Sequence, residues 1–198
     1  MAQRRGALVQ AAFELVAKGG WAQLRIERIC QAARLNKRYF YESFGDIDAV
    51  IEAVMNDLAS DLIKVTIAAM DPDTPRPRLV RDGIAALVHH LVDDPRRALV
   101  LFGESAGSEA VARYRAAALQ QTARAAVAQG RSVHILEEAQ SDPITDMLGA
   151  LLIGGTRHAL LDWLGGRVKC DLEQFIDDLA ALWLVAAEGA VARASHRS

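Results

Sequence analysis

The sequence predicts an all-α protein, and three observations carry that. Apolar residues recur at spacings of three and four along most of the chain. Ala, Leu and Val dominate an apolar content of 52%, while aromatics make up only 6%; such a composition favours helix over strand. No run of alternating apolar and polar residues is long enough for a useful strand. The expected architecture is an N-terminal tri-helical helix-turn-helix head (1–48) and a C-terminal helical body (49–198), with about nine helices in all.

The elements follow in order. Leu8, Ala11, Ala12, Leu15 and Val16 share one face of a first helix over 3–18, stopped at Gly19-Gly20. Its basic start is expected to be part of an amphipathic helix and not a signal peptide, because Glu14 and Lys18 interrupt the apolar run. Ile26, Ile29, Cys30 and Ala33 continue the spacing in a short second helix, whose start lacks an N-cap oxygen at Leu24-Arg25. Asn36 is a good N-cap for a third helix reaching about Ser43, and Asp46 caps a long fourth one. The stretch MDPDTPRPR at 70–78 is the strongest punctuation. Beyond it, helices are expected near 79–93, 95–103, 108–129, 143–164 and 171–192. Asp94-Pro95 and Asp142-Pro143 read as helix starts with Pro at the first helical position.

Charge separates head from body. Residues 1–44 hold eight Lys/Arg against three acids, a net of +5, which leaves −7 for the rest of a chain totalling −2. A basic head on an acidic body points to a polyanion partner for the head. It also argues against a nucleoid-type packaging protein without regulation, which would be basic throughout. No apolar run reaches about 18 residues, so no membrane span is expected. The two cysteines share no short motif, which suits a reducing cytoplasm. No His/Asp/Glu spacing marks a metal site, and no cofactor is expected.

The head carries the sharpest signal. Ile29, Ala33, Leu35, Phe40 and Phe44 supply a small internal core. The run NKRYFY then exposes Lys37 and Arg38 on the second helix of the pair, the one that enters the major groove in such motifs.

From Gln10 to Val54 the sequence resembles the DNA-binding head of the tetracycline-repressor (TetR) family, with a match over about residues 8–54. The pattern is Ala11-Ala12, Phe13, Gly20, Ile26, Ile29, Ala33, Leu35, Tyr41 and Phe44. The resemblance implies a dimeric regulator, in sign a repressor, bound to a palindromic operator in double-stranded DNA and released by a small effector. Together with exposure, it assigns Asn36, Lys37, Arg38, Tyr39 and Tyr41 to DNA. Lys37 and Tyr41 would hold phosphates, and Arg38 and Tyr39 would read bases, since Arg can bond guanine bidentately. Four positions depart from the family pattern. Arg25 replaces the usual capping Thr and reaches a phosphate as a charge. Arg34 replaces the turn glycine, Arg38 and Tyr39 replace small residues, and Ile47 replaces a Lys that often clamps a phosphate.

The body reads as sensor and interface. Ile144, Leu148, Leu151, Leu152, Leu160, Leu161 and Leu164 make one apolar helix, with Gly154-Gly155 allowing close approach. Leu172, Phe175, Ile176, Leu179, Leu182, Trp183 and Ala186 form a stripe on the next. Helices 143–164 and 171–192 from two copies would make a four-helix homodimer interface, which is also the arrangement the resemblance implies. The other helices could enclose an apolar pocket for a hydrophobic effector. His89, His90, Tyr114, His134, His158 and Asp162 are its candidate polar groups.

One motif points to another class. GESAG at 103–107 matches G-x-S-x-G, the nucleophile elbow of α/β-hydrolase esterases, with Ser105 as nucleophile and Asp142 or Asp146 and His158 downstream. That elbow needs a parallel sheet, and the chain offers no alternation of strands and helices. A non-enzymatic reading is therefore expected, with Gly103 ending one helix and Ser105 or Ser108 capping the next.

Overall fold

The computed structural model describes residues 2–103, 108–136 and 143–196. Among these, nine α-helices and one 3₁₀ turn account for the regular structure, and no strand occurs. The helices are α1 (Ala2–Gly19), α2 (Ile26–Ala33), α3 (Lys37–Ser43), α4 (Ile47–Ala68), α5 (Arg76–Val92), α6 (Pro95–Phe102), α7 (Glu109–Ser132), α8 (Ile144–Leu164) and α9 (Leu172–Ser195). Ser105, Glu104, Ala106, Gly107 and Asp142 lie outside the described residues. No parallel sheet is present among the described residues to support an esterase elbow.

Caps set several boundaries. The Asn36 side chain accepts the Tyr39 N–H at 3.1 Å, and Asp46 accepts from Ala49 at 2.9 Å. Asp94 caps α6 with Pro95 following it, and Asp171 caps α9 through the Gln174 N–H. Pro143 stands at the N-cap of α8, so the helix begins at Ile144, one position later than expected. A 3₁₀ turn at Trp21–Gln23 was not expected from sequence. Trp21 and Leu24 are both buried there, so the aromatic and the leucine fold the α1–α2 link inward.

The chain forms two compact units. One comprises residues up to Ala59 together with Asp94–Ala118; the other comprises Ser60–Asp93 and the chain from Leu119 onward. The division between these units falls within α4 and within α7, and α6 comes back to pack on α1.

In the first unit, Leu8 and Ala12 of α1, Ile29 of α2, Phe40 of α3 and Val50 of α4 are completely buried, and α1 packs on both α2 and α3. Each large side chain there contributes about 1.5–3 kcal/mol on removal from water. Phe44 packs beside Phe40 with ring centroids 5.8 Å apart. Ala33 and Leu35 are half-buried, at the rim of that core. Arg96 of α6 bonds Glu14 of α1 at 2.9 Å and lies over the Phe13 ring. Arg115 of α7 is buried and donates from Nε to the Leu101 carbonyl at 2.9 Å, satisfying the C-terminal turn of α6.

In the second unit, α5 and α8 both pack on α9. Arg81 ties α5 to α9 through Asp177 at 2.6 Å and Glu173 at 2.7 Å. Trp163 stacks on Phe175 and donates to the Cys170 carbonyl. Gly149 permits a close approach of α8 to α7: a Cβ there would meet the Val127 side chain at 2.8 Å and the Ala123 carbonyl at 3.0 Å. The apolar stripes of α8 and α9 divide in two. Leu148, Leu160, Phe175, Ile176 and Leu179 close the unit's own core, whereas Met147, Leu151, Leu182 and Val185 face outward.

Candidate functional site

The first unit presents α3 with its charged face outward. Lys37 and Arg38 sit at its start because Asn36, in extended conformation, ends the turn and opens the helix. Phe40 is buried on the opposite face, and Tyr41 is 59% exposed. The turn before α3 passes through Arg34 at φ 54°, in the left-handed region. Its N–H bonds the Cys30 and Gln31 carbonyls, and Leu35 N–H also bonds Cys30. This closes the end of α2 in the manner that glycine usually serves. The sequence departure at Arg34 is thus a conformational one as well as a charge.

The basic residues of α3 do not stand alone. Lys37 pairs with Glu27 of α2, and Arg38 Nε bonds Glu42 one turn along at 2.9 Å. The Lys37 ammonium lowers the Glu27 carboxyl below its ordinary range, and Glu27 in turn raises Lys37. Tyr39 is half-buried beneath the Arg4 guanidinium, 4.1 Å from the ring centre. Arg25 donates to the Ala22 and Leu24 carbonyls at 3.0 and 2.8 Å. Arg25, Lys37 and Arg38 are exposed and Tyr39 is half-buried, while Glu27, Glu42 and Arg4 beside them go unassigned in the sequence. The i, i+4 spacing of Arg38 and Glu42 was the available signal; Glu27 and Arg4 are brought in by tertiary packing.

The second unit holds an apolar cavity that is partly open to solvent. Ile63 and Ile67 of α4, Ile84 and Leu87 of α5, and Leu152 and Ile153 of α8 are among its walls. Its polar groups are few: Thr66, Thr122, Gln129 and Trp183. No Asp, Glu, Lys, Arg or His lines it among the described residues. His89, Tyr114, His158 and Asp162 are not among its lining residues, nor are His90 and His134. His158 and His134 are exposed. Asp162 is taken up by Arg167, whose hydrogen bond lowers its carboxyl below the ordinary range. Tyr114 belongs to the other unit. The signal that would have found the wall is the small-residue spacing Thr122, Ala125, Ala126, Gln129 on α7, one face of a helix at i, i+3, i+4, i+7.

Among the described residues, no group of three or more His, Cys, Asp or Glu is placed to hold a metal. Among the described residues, no helix is long and apolar enough to cross a membrane.

Residues 8–54 match the model of the bacterial regulatory proteins of the tetR family. Three solved structures share the fold over nearly the whole chain. The fatty acid degradation regulator FadR from Bacillus halodurans is 15% identical with a TM-score of 0.71, covering 91% of this chain and 94% of its own. The transcriptional regulator FadR from Bacillus subtilis, solved in complex with stearoyl-CoA, is 13% identical at a TM-score of 0.69, covering 91% and 98%. A tetR-family transcriptional regulator from Streptomyces coelicolor is 20% identical at 0.70, covering 99% and 90%. No curated protein sequence matches the chain.

Proposed function

We propose that this chain, whose residues 8–54 match the tetR-family model and whose fold is shared by regulators of that family, is a DNA-binding transcriptional repressor that binds a palindromic operator as a homodimer and leaves it when a small hydrophobic effector occupies the cavity. The observation that carries the effector half is the cavity itself, which is walled almost wholly by hydrocarbon and has four polar residues. The Bacillus subtilis relative holds stearoyl-CoA, which makes long aliphatic molecules a sensible class to screen.

On DNA, Arg38 reads base edges with Tyr39 and its covering Arg4 beside it. Lys37 and Tyr41 hold phosphates, with Asn36 and Arg25 at the margin. A phosphate takes the place of Glu27 on Lys37, and a base edge approaches the Arg38 guanidinium. Four large apolar side chains at 66–70% exposure on α8 and α9, namely Met147, Leu151, Leu182 and Val185, support a homodimer through those helices. Gly154, Gly155 and Gly189 have open space beside them, which suits close helix approach. Release requires the effector to prefer a dimer whose heads no longer match half-sites about 34–36 Å apart, since equal affinity for both states would shift nothing.

The test starts from duplexes selected out of a random pool by the full chain. A discrete palindromic footprint, lost on adding a hydrophobic compound that raises the protein's melting temperature, is the expected result. Arg38→Ala should relax preference at one position at a cost of about 1–3 kcal/mol, whereas Lys37→Ala should weaken all sequences alike. Selection of no motif, or binding along DNA without a discrete site, would remove this reading. Light scattering of Leu182→Glu, expected to give monomers, checks the interface.

A further inference from the structure

We infer that the cavity of the second unit takes an uncharged, mainly hydrocarbon molecule bearing a single oxygen function, and that the side-chain amide of Gln129 is the group that recognises that oxygen. This rests on the cavity being the effector site and narrows its ligand class.

Polarity within the cavity carries the inference. A carboxylate, phosphate or ammonium would enter with no lining charge of opposite sign among the described residues. An isolated charge in such surroundings is strongly disfavoured, and neutral ligands are favoured accordingly. The four polar lining residues are not equivalent. The Thr66 hydroxyl donates to the Leu62 carbonyl at 2.8 Å, so its proton is taken. The Trp183 indole N–H donates to the Thr156 hydroxyl at 2.9 Å. Thr122 is 9% exposed and also engaged within the protein.

Gln129 differs from these. Its backbone carbonyl accepts from Ser132 and Val133. Among the described residues, its side-chain amide has no hydrogen-bond partner while the residue lines the cavity. An amide presents two donors and an acceptor, so it serves a carbonyl oxygen or a hydroxyl equally. Hydrocarbon walls with one open amide match a ketone, ester, lactone or alcohol on an aliphatic frame.

The test uses the full chain and three probes: 2-decanone, hexylbenzene and decanoate, the last at a pH where it is ionised. Binding is followed by calorimetry and by thermal shift, with wild type and Gln129→Leu. The expected result is that 2-decanone binds and decanoate is weaker by about 100-fold or more. Gln129→Leu should weaken 2-decanone by about 3- to 10-fold, the worth of one net hydrogen bond, while hexylbenzene holds its affinity or gains. Decanoate binding as tightly as 2-decanone would overturn the neutral-ligand inference and leave the cavity as an effector site. Undiminished ketone affinity in Gln129→Leu would overturn the role of Gln129. If no probe binds, the cavity is not a ligand site, and both readings fall.

Discussion

Lys37 of α3 is ion-paired to Glu27 of α2, so the first basic residue of the exposed helix is already neutralised across the turn. Arg38, the next residue, is bonded to Glu42. DNA therefore meets a surface on which each of these cations has an acidic partner. Under the proposed contacts, binding would exchange one anion for another and not simply fill an empty cationic patch. The energetic consequence is restraint: a random phosphate gains less from Lys37 while Glu27 remains beside it.

Replacing Glu27 by Gln should release that restraint. Affinity for duplexes lacking the operator should rise by about 2- to 5-fold at low salt, the worth of an exposed ion pair, with a steeper dependence on salt. Fluorescence anisotropy on scrambled duplexes at several salt concentrations measures it. Equal affinities and equal slopes for wild type and variant would show that the pair does not mask Lys37.

The same pair has a defined pH window. The Glu27 carboxyl is lowered from its ordinary 4.5 by the Lys37 hydrogen bond, so its contribution is present above that value and is lost as the pH falls through the lowered one. Lys37 is raised from 10.5 by the Glu27 hydrogen bond, so its contribution is present below that value and is lost as the pH climbs through the raised one. The stability difference between wild type and Glu27→Gln should therefore be flat across neutral pH, then shrink at both extremes. Urea midpoints across the range test this, and a difference that persists undiminished at both extremes would contradict it.

Arg34→Gly should stabilise the protein by up to about 1 kcal/mol. Arg34 is held at φ 54°, a region where a side chain crowds its own backbone and glycine does not. Chemical denaturation reads the gain. DNA affinity, measured alongside, shows separately what the Arg34 charge contributes.

Arg115→Met should cost about 1–3 kcal/mol, because the Leu101 carbonyl then loses its buried donor while the volume is nearly kept. The effect belongs to stability. At temperatures where the variant is folded, operator affinity should stay within a factor of about two, as for additive and distant sites.

Much of the head was legible because its signals are local. Asn36 is followed three residues later by the N–H it caps, and Asp94-Pro95 announces α6 within two positions. The core residues Ile29, Phe40 and Phe44 follow from helical spacing alone. What escaped was nonlocal. Nothing near Arg96 or Glu14 says that residues 82 apart will bond, so the division of the chain into units was not readable. The cavity escaped for a different reason: its walls are Leu, Ile and Ala, the same residue types that fill a solid core. A search for polar side chains turns to His89, His158 and Asp162, whereas the wall offers little more than one glutamine. Arg34 lay between the two cases. Its replacement of a glycine was visible, but the left-handed backbone it adopts is set by the tight joining of α2 to α3.

The unit bearing α3 is assembled from two stretches of chain, one ending at Ala59 and one running from Asp94 to Ala118. This bears on how such a protein can be recombined. A chimera that takes only the N-terminal stretch from a relative would join a foreign α1 to the resident α6, and would forfeit the Arg96 contacts to Glu14 and Phe13. Transplanting a new operator preference intact calls for α6 and the start of α7 to travel with it. Changes confined to the outward face of α3 leave that packing untouched, which makes this helix the cheapest place for specificity to drift.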